Sequence, residues 1–312
     1  MKKAVLIPII IGSVLVTAAT IALAIGIANS VNVKKEIKTY ELNDKSFTNF
    51  NIDLDTTDLE FAVSSEGEKK VVVEDTKNNV HTVDVVDNTL SIIANKKRNV
   101  FNFGIVNCKA TIYLPVDAYN SLIIKNDTGD IKIPHDFTFT TANIDLSTGK
   151  VDFKAEVKET LKARASTGDI TISDTSVQTL DVETSTGKQN YSNLYAAGEI
   201  KLKASTGDIA LDNVRGQKFS SEVSTGKTKL KNTVIAEDIK IRANTGDVAF
   251  DASDAATLDI ETSTGDVEGT LLTSKIFYVE TSTGKINVPV STEGGLCKVK
   301  TSTGDVTFRI VE

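Results

Sequence analysis

The chain has 312 residues, enough for one or two domains with a sizeable core. Its 42 acids against 35 bases leave a net charge of -7, which argues against a nucleic-acid surface, where basic side chains must neutralise phosphates. With no Trp, two His and two Cys, His-rich metal centres and disulfide scaffolds are excluded, and the stock of catalytic bases and sugar-stacking aromatics is poor.

After Met1, Lys2 and Lys3, the stretch Ala4 to Ala28 is an uncharged, predominantly apolar run of 25 residues. A helix needs about 20 residues to cross the hydrocarbon core, whereas a cleavable signal usually has an apolar stretch of about 7–15. The run reads as a retained signal-anchor, with cleavage and secretion as the alternative. Lys2 and Lys3 favour an inside amino end, partly opposed by Lys34, Lys35 and Lys38. A body rich in Thr, Ser, Asn and Asp, with only Cys108 and Cys297, suits the outside of the cytoplasmic membrane. The expected organisation is a cytoplasmic tail (1–3), a transmembrane anchor (4–28), a linker (29–37), an irregular β region (38–120) and a regular repeat (121–312).

Residues 38–120 alternate apolar and polar side chains, which marks strands with one buried face. Ile52 to Phe61 looks like a degenerate repeat in which Thr57 replaces a glycine. Strands are expected at 71–74, 79–86, 90–93 and 110–115, with a turn at Asp87-Asn88-Thr89 and a loop at 96–103. This region is expected to cap and begin the body, because a cap keeps the first strand edge from pairing with other chains.

From residue 121 one repeat dominates. Thr-Gly followed by Asp or Lys places glycines at Gly129, Gly149, Gly168, Gly187, Gly207, Gly226, Gly246, Gly265, Gly284 and Gly304, in steps of 19 or 20 residues. Counted from each glycine, positions −7, −5 and −3 and then +2 and +4 are mostly apolar, with charges at −6 and −4. Period two on both sides of a glycine corner means two short strands with one face buried. A unit this small buries its apolar face only by stacking on its neighbours. The fold class is therefore all-β: a single-stranded parallel β-solenoid of about ten coils, preceded by one transmembrane helix. At about 4.8 Å per coil the rod would be roughly 45–50 Å long. The segment from +5 to −8 is less regular and reads as a looser third side.

The residue after the glycine alternates in sign along most of the chain, from Asp130 and Lys150 to Lys285 and Asp305. The −4 column, Lys125 to Lys300, alternates in antiphase. Each exposed pair is worth only about 0–1 kcal/mol, but a slip of one coil would bring like charges together, so the columns set register. Such a self-neutralised face reads as a solvated wall. One coil departs: Asp259, Glu261, Asp266 and Glu268 surround Gly265, with Asp247 before and Glu280 after. These six acids are weak candidates for a cation site, against the reading of an odd coil balanced by Arg242 and Lys285. No catalytic residue, cofactor or resident metal is otherwise expected. His81 and His135 look isolated, and Cys108 and Cys297 read as buried free thiols too far apart to bridge. The final coil, 298–312, reads as an exposed end able to pair with another molecule.

The passage from Ala110-Thr-Ile-Tyr-Leu-Pro-Val116 to Ser121-Leu-Ile-Ile-Lys-Asn-Asp-Thr-Gly-Asp130, followed by Ser-Thr-Gly-Asp/Lys coils, resembles the bacterial toast-rack family, also called "putative adhesin", over residues 40–312. The resemblance implies a β-strand-repeat fold, no enzymatic activity, and the membrane-anchored setting of envelope-stress or sensing systems; it supplies no ligand residues. The expected function is a membrane-anchored extracytoplasmic solenoid for adhesion, sensing or envelope-protein contact. A scaffold self-assembling through solenoid ends is the alternative, and a polysaccharide-active β-helix enzyme a remote one. Expected partners are the membrane and a protein or cell-surface partner, not nucleic acid.

Overall fold

The computed structural model of the protein describes residues 34–96 and 106–311. The apolar run 4–28 and nearly all of the 96–103 loop lie outside the described residues, among which no helix is long and apolar enough to cross a membrane. The described residues are all-β. The amino-terminal region holds β1 (Glu36–Glu41), β2 (Asn49–Val63), β3 (Lys70–Asp75), β4 (Asn79–Val86), β5 (Thr89–Lys96) and β6 (Cys108–Leu114). The regular region follows with β7 (Ala118–Thr128), β8 (Ile131–Ile133), β9 (Thr138–Thr148), β10 (Val151–Phe153), β11 (Glu156–Thr167), β12 (Ile170–Thr186), β13 (Gln189–Thr206), β14 (Ile209–Thr225) and β15 (Thr228–Lys231). It ends with β16 (Val234–Thr245), β17 (Val248–Asp251), β18 (Asp254–Thr264), β19 (Val267–Leu271), β20 (Lys275–Thr283), β21 (Ile286–Asn287), β22 (Gly295–Thr303) and β23 (Val306–Ile310).

Stacking is parallel and in register. Ile200 lies between Leu180 and Phe219, and Leu202 between Val182 and Ser221. Inward residues such as Ile170, Leu180, Ile200, Leu211 and Ile239 are fully buried, so the alternation read from the sequence maps onto one continuous core. Near the amino-terminal end that core is aromatic, with Phe50 edge-on to Phe47, Phe61, Tyr119 and Phe139.

The glycine corners are forced by the stack. Gly207 has φ +143°, and a Cβ there would lie 1.9 Å from the Gly187 carbonyl oxygen. The corner thus needs both a conformation closed to L side chains and room for the preceding carbonyl. The corner glycines of the stacked coils, Gly284 of the outermost coil aside, also donate their N–H to the carbonyl of the next coil's corner threonine, as Gly187 does to Thr206 at 2.9 Å.

The third side is not loose. β12, β13 and β14 continue through it, with ladder pairs such as Thr175↔Leu194 and Leu194↔Val214. It begins at a second corner, position +6, where Asp174, Asn193, Asn213, Asn232 and Ala252 have φ of 46–56°. Asn and Asp tolerate this left-handed conformation. Their side chains also form a ladder, Asn213 Nδ2 to Asn193 Oδ1 and Asn193 Nδ2 to Asp174 Oδ1, both 2.8 Å. The 19- and 20-residue coils differ just beyond: the offset between β12 and β13 changes from 19 at Val177↔Ala196 to 20 at Leu180↔Ile200.

At both ends, spatial order departs from chain order. β2 pairs with β5 and β6 on one edge and with β7 and β8 on the other, so the first coil of the chain is second in the stack. Beyond it, β3 pairs antiparallel with β6, β1 with β3, and β4 with β5, closing that end. At the other end β22 lies between β18 and β20, and β23 between β19 and β21. A Cβ on Gly304 would strike the Gly265 carbonyl, and one on Gly284 the Gly304 carbonyl. The last coil of the chain is therefore inserted behind the one before it. The expectation that residues 298–312 form the exposed end is overturned: the outermost coil is β20–β21.

Candidate functional site

The charged wall is the most extensive outward feature. Along the −4 column Arg164 meets Glu183 at 3.4 Å, Lys203 meets Glu222 at 2.6 Å and Arg242 meets Glu261 at 3.2 Å. A shallow open groove of about 530 Å³ runs beside Glu183, Lys203, Glu222, Arg242 and Glu261 and past Ser205, Ser224 and Ser263. The Lys203 ammonium holds the Glu222 carboxyl below its ordinary pKa. The inserted coil completes the column: in space it runs Arg242, Glu261, Lys300, Glu280. Chain order would have set Glu261 against Glu280.

In the +1 column the aspartates are backbone acceptors as well as charges. Asp130, Asp169 and Asp208 take the N–H of Lys150, Lys188 and Lys227 at 2.8, 2.8 and 3.0 Å. The run of acids continues this role, since Asp247 accepts from Asp266, Asp266 from Asp305 and Asp305 from Lys285.

The six weak cation candidates are accordingly spread out. Asp259 accepts from Arg242 at 2.5 Å and Glu261 lies 3.2 Å from the same guanidinium. On their far side the inserted coil brings Lys298 and Lys300 into register. Asp247 is held by Lys227 at 2.7 Å, which, with the Asp266 N–H, keeps its pKa below the ordinary value. Asp266 belongs to the backbone ladder, Glu268 is exposed, and Glu280 sits beyond the Lys300 coil, accepting from the Tyr278 hydroxyl at 2.8 Å. Among the described residues no three of His, Cys, Asp and Glu are placed to hold a metal ion.

His81 is not isolated. Its Nδ1 lies 2.8 Å from Asp75 Oδ1, its Nε2 lies 3.0 Å from Thr57 Oγ1, and its backbone N–H donates to Asp75. Asn79 donates to the same threonine hydroxyl, and Asn126 to the Thr57 carbonyl. Lys38 completes the group with a 2.7 Å pair to Asp75. Burial raises the Asp75 pKa, but Lys38 and the two His81 donors outweigh it and leave the value lowered. A threonine, a histidine and an aspartate in relay order could activate a hydroxyl, yet Thr57, His81 and Asp75 are at most 2% exposed. Solvent does not reach the hydroxyl. The cluster instead pins β3 and β4 to the one corner where threonine stands for glycine. Sequence reading missed it because Asp75 and Thr57 approach His81 only when the cap folds back on β2. His135 is a solvated loop residue, 71% exposed and 3.5 Å from Asp136.

Cys108 and Cys297 are free and buried. Burial raises the Cys108 thiol and pushes Cys297 up to about 12, so neither is a nucleophile at neutral pH. Near Cys297 lies a buried ion pair, Lys275 Nζ to Asp254 Oδ1 at 2.6 Å, which ties β20 to β18 past the start of the inserted β22.

The Toastrack DUF4097 family model matches residues 47–218 and 195–312. Among solved structures, the chain is similar to one from Bacteroides fragilis described as a "putative adhesin", at 17% identity and a TM-score of 0.39, covering 89% of this chain and 97% of that one. It is also similar to one from Parabacteroides distasonis described as a "putative lipid binding protein", at 14% identity and a TM-score of 0.44, covering 90% and 98%. No curated protein matches. With the family model spanning both the amino-terminal coils and the regular stack, the chain belongs to the Toastrack DUF4097 family.

Proposed function

We propose that this chain is a non-enzymatic contact module, a solenoid held at the outer face of the cytoplasmic membrane that engages envelope proteins or a cell surface. The observation that carries this reading is the wall. Its outward charges pair between successive coils along the −4 column, and among the described residues the Thr57–His81–Asp75 relay is sealed from solvent. Such a surface offers long repetitive contact but no cleft that concentrates reacting groups. The uncharged run 4–28 supports the anchor. A reporter enzyme that works only outside the cytoplasm, fused after Glu312, is expected to be active, with the full-length chain in the membrane fraction. A soluble chain, or activity only of a cytoplasmic reporter, would overturn the reading.

A further inference from the structure

We infer that the free edge of β20–β21 is a docking site for an extended β segment of a partner protein, one that continues the solenoid with a basic residue over Glu280 and an acid over Lys285. The inference rests on the contact reading above and gives it a surface and a partner chemistry.

The end is open in a way the rest of the rod is not. Ile286 occupies the +2 position, which is buried in the other coils, yet it is 50% exposed. Phe277, Val279 and Val288 are inward residues only partly covered. β20 pairs with β22 and β21 with β23, each on one edge. An edge strand with unpaired N–H and C=O groups over apolar side chains is the surface that strand addition uses: main-chain bonds supply affinity and side chains supply selectivity.

The columns define the selectivity. The −4 column alternates in space through Glu261, Lys300 and Glu280, so the next member is basic. The +1 column stacks Asp247, Asp266 and Asp305 and ends on Lys285, whose outer side calls for an acid by charge complementarity, five residues along the added strand. The chain's own Lys300–Asp305 coil has this pattern, but it is already seated between two coils. A second copy fits poorly. Its amino-terminal end is closed by β1, β3 and β4. Its own open end presents Ile276, Tyr278, Glu280 and Ser282 outward along β20, with no base to cover Glu280.

Two synthetic peptides test this against the full chain in detergent: residues 295–312, with the basic and acidic pair in the required order, and residues 275–290, with the order reversed. The first is expected to bind at least tenfold more tightly than the second. The double variant Glu280→Lys, Lys285→Glu, shown by circular dichroism to stay folded, is expected to invert the preference. Bound peptide should protect β20 amides from hydrogen exchange while leaving those of β22 unchanged. Equal binding of the two peptides, binding of neither, or protection lost from β22 through invasion of its slot would each overturn the proposal. So would a dimer by light scattering that excess peptide does not dissociate, which would assign the edge to a second copy. Failure here leaves the wall and the topology result untouched, because the reporter test does not involve this edge.

Discussion

At the residue scale, the corner glycine meets two demands at once. Gly207 combines φ +143° with a neighbouring carbonyl 1.9 Å from where a Cβ would be, so Gly207→Ala must move the backbone of the stacked coils. A loss of about 2–4 kcal/mol in urea unfolding is expected from strain and overpacking together; a loss under about 0.5 kcal/mol would refute a close-packed corner. Asp75 supplies a pH signature. Its folded pKa lies below the unfolded value of about 3.9. The stabilisation is therefore present above that value and lost as pH falls through the folded pKa. Melting temperatures measured from pH 7 to 3 should fall less steeply at the acid end in Asp75→Asn than in the native chain, with a lower starting value at pH 7. Parallel acid limbs would show that the Lys38–Asp75–His81 group contributes nothing to the cap.

At the element scale, the first and last coils of the solenoid both have ladder partners on two edges. A solenoid stacked in chain order would leave its final coil to fray, since end coils lack a neighbour. Here the segment that would fray is held between β18–β19 and β20–β21, fastened by the buried pair of Lys275 and Asp254. Gly295, in register with Lys275, lets the inserted strand approach closely, since a Cβ there would lie 1.8 Å from the Ala256 carbonyl oxygen. Lys275→Met leaves Asp254 charged and buried without its cation, so a cost of about 3–5 kcal/mol is expected, largely recovered when Asp254 is replaced by Leu as well. In hydrogen exchange the native β22 amides should be slower than those of β20, although β22 lies nearer the end of the chain. The reverse order would restore sequence-ordered stacking.

For the whole molecule, stability is a sum over coils and their interfaces, and the charge columns bias which coils are neighbours: the −4 column alternates through the inserted coil, whereas Asp247, Asp266 and Asp305 stack in the +1 column through backbone hydrogen bonds. Deleting residues 169–207 removes two coils and leaves Arg164 facing Glu222 and Lys150 facing Asp208, so both columns stay alternating. Deleting residues 188–207 removes one coil and sets Glu183 against Glu222 and Asp169 against Asp208. Cross-strand like charges cost up to about 1 kcal/mol each. The shorter, two-coil deletion is therefore expected to be the more stable by about 1 kcal/mol in chemical denaturation, despite its smaller core. If stability followed coil number alone, the columns would be decoration.

The sequence by itself determined the solenoid, its period, its inward and outward faces and its glycine corners, because each coil repeats local constraints: period-two burial, positive φ at the corner and like-for-like stacking. It also carried a trace of the second corner, the Asp and Asn residues at +6, which passed unread because one polar residue per coil resembles any loop. What only the tertiary structure decided was which coils touch at the two ends. The insertion of β22–β23 has no periodic signature, since its coil has the same length and motif as the others. The clue was the acidic coil around Gly265, anomalous in chain order; Lys298 and Lys300 lie over Asp259 and Glu261, while Asp266 stays stacked between Asp247 and Asp305. The cluster of Thr57, Asp75 and His81 was equally hidden, since its hydrogen bonds depend on the antiparallel return of the cap. Local alternation sets how each coil folds; contacts between distant segments set the order of the stack.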